Sequence, residues 1–131
     1  MTTADCAQTP VSPVLLLLHR DVLVRSALGA YLRECGYTVI ETTQADEVRQ
    51  LLRTERDIDI AFIDIEGEGS GEGFEIAQTI RKHRPSVQVL LAASVGRAAA
   101  EAGELCEQGP MLARPYDHQI LERNIRRLLA R

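Results

Sequence analysis

The chain has 131 residues, enough for one domain and too few for two of ordinary size. Hydrophobic residues make up 45% and charged residues 26%, a globular balance, and the formal net charge of -4 argues against general attraction to nucleic acid or anionic lipid. Three cysteines, Cys6, Cys35 and Cys106, lie far apart with no C-x-x-C pair, and they read as reduced thiols of a cytoplasmic protein.

Taken in chain order, residues 1–12 are small and polar, and they are expected to form a disordered lead-in to a domain over 13–131. The apolar run 14–18 is too short to span a bilayer, and it lacks the basic flank and cleavage site of a signal peptide. No membrane segment is therefore expected. Val24, Ala27, Leu28, Tyr31, Leu32 and Cys35 then follow helical spacing, with Asp21 placed to cap the helix and Gly36 to stop it. A second apolar run, 37–40, precedes a helix marked by Val48, Leu51 and Leu52, for which Thr43 is the expected cap.

The third run, 58–63, is followed by Asp64 and by a Gly/Glu stretch, 66–73, expected to be a mobile loop. Phe74, Ala77 and Ile80 mark a third helix that Pro85 stops. A fourth run covers 87–92, and Ala98, Ala102, Leu105 and Cys106 form a lighter helical stripe interrupted by Gly103. The last run, 111–113, leads to a fifth helix marked by Ile120, Leu121, Ile125, Leu128 and Leu129, with Asp117 as its cap.

Strand and helix thus alternate five times. That pattern calls for an α/β fold, a doubly wound parallel sheet with helices on both faces. The first, third and fourth runs are almost continuously apolar, as strands covered on both sides must be. In open sheets of this kind the chemistry sits at the carboxyl ends of the strands, so the residues just after each run are the candidates for a site.

Four segments in order, LLLLHRDVLVR, IAFIDIEGEGSGEGFEIA, RPSVQVLLAAS and MLARPYD, resemble the receiver domains of bacterial response regulators over nearly the whole chain. The resemblance implies a flavodoxin-like three-layer sandwich with strand order 2-1-3-4-5. It also implies a role in two-component signalling by contact with a histidine kinase or phosphotransfer protein, without enzymatic turnover and with no output domain. In that family an aspartate ending the third strand accepts a phosphoryl group, and Asp64 is the matching residue. Its relatives are assisted by Mg²⁺ held on an acidic pair, by a hydroxyl after the fourth strand and by a lysine after the fifth. Here His19 and Arg20 stand at the acidic pair, Ala93 at the hydroxyl and Arg114 at the lysine, while Pro115 matches the family. Met111 replaces the aromatic residue that turns on activation in many relatives.

Two readings of Asp64 stay open. It can remain a phosphoacceptor, or it can be an inherited carboxylate now serving as an ion-pair partner in a pseudo-receiver adaptor. A buried charge needs a partner, and Arg20 and Arg114 are the expected ones; the family resemblance implies that the Arg114–Pro115 peptide is cis. Mg²⁺ needs hard oxygen ligands, so an imidazole and a guanidinium at the acidic pair predict no specific magnesium site and no cofactor. Asp21, one step along, is read as a helix cap, and Ser94 as a cap of the fourth helix. His19 is read as a structural histidine in preference to a proton carrier or ligand. The GEGSGEG stretch matches no phosphate-binding glycine motif, and its Glu66, Glu68 and Glu72 lack calcium-loop spacing. Arg123, Arg126, Arg127 and Arg131 are read as a solvated or protein-docking face of the last helix, without nucleic-acid binding. By the same resemblance, a homodimer or partner contact is expected through the fourth helix, fifth strand and fifth helix.

Overall fold

The computed structural model describes residues 12–54, 56–64, 70–94, 111–114 and 116–130, with the side chains of 70–72, 93, 94, 111 and 114 outside the description. Five strands, β1 (Val14–His19), β2 (Thr38–Thr42), β3 (Ile60–Asp64), β4 (Gln88–Ser94) and β5 (Met111–Arg114), form one sheet in the order β2-β1-β3-β4-β5. Every neighbouring pair is parallel. The helices described are α1 (Val22–Glu34), α2 (Ala45–Leu52), α3 (Ser70–His83) and α4 (His118–Leu129). The doubly wound order expected from the sequence is thus the one formed. The expected lead-in and the expected helix around Ala98–Cys106 lie outside the described residues.

The period-two alternation of strands divides the core. Leu15 and Leu17 of β1, with Phe62 and Leu90, pack under Leu28 and Leu32 of α1 and Leu121, Ile125 and Leu128 of α4. Leu16 and Leu18, with Ile63 and Leu91, pack under Val48 of α2 and Ile76 and Ile80 of α3. The four leucines of β1 are fully buried, each stabilising the fold by about 1.5–3 kcal/mol relative to exposure. That two-sided burial is why β1 is uniformly apolar.

Local signals set most boundaries. The Asp21 carboxylate accepts the Val24 amide at 3.0 Å, capping α1, and Gly36 takes φ +105°, a left-handed conformation that turns the chain into β2. Asp117 likewise caps α4 through the Ile120 amide at 2.8 Å. The second cap differs from expectation. Thr42 turns inward to donate to the Leu17 carbonyl at 2.9 Å, and Gln44 rather than Thr43 becomes the N-cap of α2. Glu47 accepts the amides of Thr43 and Gln44 at 2.7 and 3.0 Å, completing the cap from within the helix.

Three further expectations are corrected. The stretch expected as a loop over 66–73 is helical from Ser70, and Gly73 is buried where a Cβ would lie 3.3 Å from Leu91 Cδ1. A side chain there would press on Leu91, so glycine lets α3 approach the sheet closely. On α1, Val24, Ala27 and Cys35 are exposed, and the buried row is Leu28, Gly29 and Leu32. The Glu41 carboxylate occupies the space beside Gly29, bridging Arg25 at 3.4 Å and Arg33 at 2.9 Å. On α4, Ile120 faces outward, while Glu122 takes a buried place in the row of Leu121, Ile125 and Leu128.

Candidate functional site

The carboxyl ends of β1 and β3 are in register, with His19 paired to Asp64. Residues two apart on a strand share a face, so Asp64 projects on the side of Phe62, and His19 on the side of Leu15 and Leu17. Both therefore lie on the face covered by α1 and α4. Asp64 is only 4% exposed, so its carboxylate depends on protein donors.

Two donors meet the same oxygen. The Tyr116 hydroxyl donates a short hydrogen bond to Asp64 Oδ2, and His19 Nε2 lies 3.4 Å from that oxygen. The Asp21 amide donates to His19 Nδ1 at 3.0 Å. Nδ1 is thereby an acceptor, which leaves the ring proton on Nε2, facing the carboxylate. The ring's place is held from behind by Arg25, whose guanidinium donates to the His19 carbonyl at 3.2 Å. A charge-assisted bond such as the one from Tyr116 contributes roughly 1.5–3 kcal/mol.

Tyr116 reaches the site because it stands two residues past the end of β5 and directly precedes the N-cap of α4. Its ring stands edge-on to Phe62, centroids 5.5 Å apart and planes at 88°, so the apolar body packs on the core while the hydroxyl reaches the pocket. Sequence reasoning passed over this residue. The signal was present in MLARPYD: a tyrosine at a strand's carboxyl end, where a half-buried phenol needs a polar partner.

The remaining candidates divide. Arg20 is exposed just past β1 and lines a cavity of about 430 Å³ with Thr43, Gln44, Ala45 and Asp46 at the start of α2. Ala93 and Arg114 stand in β4 and β5, where Ala93 pairs in register with Ala113 and Arg114 with Ser94. The side chains of Ala93, Ser94 and Arg114 are outside the described residues, and so is Pro115 with the expected cis bond. An imidazole and a phenol are thus among the partners of Asp64, and the expected pairing with Arg114 lies outside the described residues.

A second polar cluster lies in the same layer, toward the opposite end of the sheet. The Tyr37 hydroxyl donates to Glu122 Oε2 at 2.9 Å, and the Arg126 guanidinium holds both carboxylate oxygens. Burial alone would raise the Glu122 carboxyl, but the hydrogen bonds from Arg126 and Tyr37 outweigh it and hold the group below the ordinary glutamate range. Burial, reinforced by Glu122, pushes the Tyr37 phenol well above its usual value. Tyr31 of α1 meets the His118 ring of α4 at 5.3 Å in the same layer.

Solved structures share this architecture. A response regulator from Chloroflexus aurantiacus, described as putative, aligns with TM-score 0.76 and 25% identity, covering 92% of this chain and 100% of its own. The signal receiver domain of an HD domain-containing protein from Pseudomonas fluorescens aligns at 0.76 and 23%, covering 92% and 96%. A response regulator receiver protein from Sinorhizobium medicae aligns at 0.76 and 17%, covering 93% and 98%. No curated protein gives a significant match. No described helix is long and apolar enough to cross a membrane. Residues 15–129 match the family model of the response regulator receiver domain, and with the five-stranded parallel sheet already described, the chain belongs to that family of two-component signalling modules.

Proposed function

We propose that this receiver signals through protein–protein contacts, with Asp64 kept as an internal hydrogen-bonded carboxylate instead of an open phosphoacceptor. The observation that carries the reading is the convergence of Tyr116 and His19 on Asp64 Oδ2. A nucleophilic carboxylate must present a lone pair to the incoming phosphorus and have its oxygens assisted by positive charge. Here the nucleophile is 4% exposed and one of its oxygens already accepts from a phenol.

The donor chemistry also fits poorly with the Mg²⁺ that the family implies. Magnesium takes hard oxygen ligands in octahedral geometry. His19 offers Asp64 an N–H, its other nitrogen accepts from the Asp21 amide, and the Asp21 carboxylate caps α1. These atoms of His19 and Asp21 are thus engaged within the protein. The partners in this reading are a histidine kinase or phosphotransfer protein in the cytoplasm. They, or a second copy of the chain, meet the surface built by β5 and α4. On that surface α4 presents Ile120, Arg123 and Arg127 to solvent.

The test is a phosphate-affinity gel of the purified full chain after incubation with acetyl phosphate, with and without Mg²⁺, for wild type and Asp64→Asn. Wild type and variant are expected to migrate identically under both conditions. A retarded band in wild type that Asp64→Asn abolishes would establish the phosphoacceptor reading in its place.

A further inference from the structure

We infer that Tyr116 is a positioning residue for Asp64, tying the state of that carboxylate to the first turn of α4 and so to the face offered to partners. The inference rests on the reading above that partners meet β5 and α4. Three contacts carry it. The Tyr116 hydroxyl donates to Asp64 Oδ2. Its ring stands on Phe62, which is fully buried two residues before Asp64 on the same face of β3. The next residue, Asp117, is the N-cap of α4, and His118 after it packs on Tyr31 of α1.

The connection is short. β5 ends at Arg114 and α4 begins at His118, so Tyr116 sits midway along a three-residue connection. A shift of the phenol is passed to the adjoining Asp117 cap and the turn that follows it. That turn carries Ile120, 38% exposed and one of the large hydrophobic residues the domain shows to solvent. Asp64 holds the phenol through an acceptor oxygen carrying negative charge, the stronger class of hydrogen bond. When that oxygen is removed, neutralised or modified, the hydroxyl loses its charged partner. The carboxylate is thus mechanically joined to the outer face through one side chain. The link lies at residue 116, whereas Met111 holds the family's usual aromatic position.

Amide hydrogen exchange on the full chain tests this, using Tyr116→Phe, Asp64→Ala and the double variant. Each single change should speed exchange over residues 116–121 by roughly tenfold to a hundredfold, the effect of losing one charge-assisted bond from a locally opening turn. Exchange across β1 should stay as in wild type. The double variant should exchange no faster than the faster single one, because both changes remove one shared bond. A core tyrosine with a purely packing role would keep its protection in Tyr116→Phe, since the ring is retained. Unchanged exchange in that variant, or effects that multiply in the double, would overturn the inference. If Asp64→Ala loosens β1 as well, Asp64→Asn answers in its place, with an uncharged acceptor and a smaller, localised acceleration expected; no acceleration there counts against the link. The gel reports chemistry at Asp64 and exchange reports the tie, so each proposal can fail alone.

Discussion

Replacing Tyr37 by Phe tests how the buried polar cluster beneath α4 stabilises the domain. The change deletes one hydroxyl and leaves the ring, which is 8% exposed against the core. The lost bond is the 2.9 Å contact to Glu122, itself 6% exposed. Hydrogen bonds to charged groups contribute about 1.5–3 kcal/mol, and the low end applies because Arg126 still holds the carboxylate, so the expected loss is about 1.5–2 kcal/mol. For a domain of this size that lowers Tm by roughly 5–10 °C. Urea unfolding followed by circular dichroism, with an unchanged m-value, would measure it. The pH dependence supplies the second check. Glu122 ionises more readily folded than unfolded, so its contribution is fully present above the ordinary value of 4.5 and is lost as pH falls through the lower folded value. The gap between wild type and Tyr37→Phe should therefore be widest at neutral pH and shrink as acid protonates Glu122. A gap under about 0.5 kcal/mol at neutral pH, below the range for such bonds, would refute the reasoning. A gap equally wide in acid would refute it too, because the hydroxyl would then not be acting through the charge.

Two more substitutions probe local claims. Asp21→Ala should cost about 1 kcal/mol in urea unfolding while Asp21→Asn stays within a few tenths, since either side chain can accept the Val24 amide; equal losses would mean the charge matters and the cap does not. Gly29→Ala should be neutral or destabilising in wild type, where the new Cβ would meet Glu41 Oε2 at 2.7 Å, yet stabilising by up to about 1 kcal/mol of helix propensity in Glu41→Ala, where the remaining close atom is the far end of the flexible Arg33 side chain at 3.2 Å; identical effects in both backgrounds would contradict the placement of Glu41.

What the sequence determined by itself was the fold. Its apolar runs, helical stripes, Asp21, Gly36 and Asp117 are local signals, readable because strand alternation, caps and left-handed glycine are governed by neighbours a few residues away. The family motifs pointed to Asp64 and to His19, Arg20, Ala93 and Arg114 as the residues standing at the positions of its usual helpers. What surrounds Asp64 was decided only by the tertiary structure. Tyr116 is 52 residues from Asp64 in sequence, and no periodicity joins them. The same holds for Tyr37 and Glu122, 85 residues apart, and for Glu41 lying against Gly29. The reason is physical. A backbone signal is spent within one turn or strand, whereas a buried carboxylate is satisfied by whichever donors the packed layers bring within about 3 Å. Parallel strand register and helix packing set that distance, so the identity of Asp64's partners appears only when β1, β3 and the β5–α4 connection are assembled.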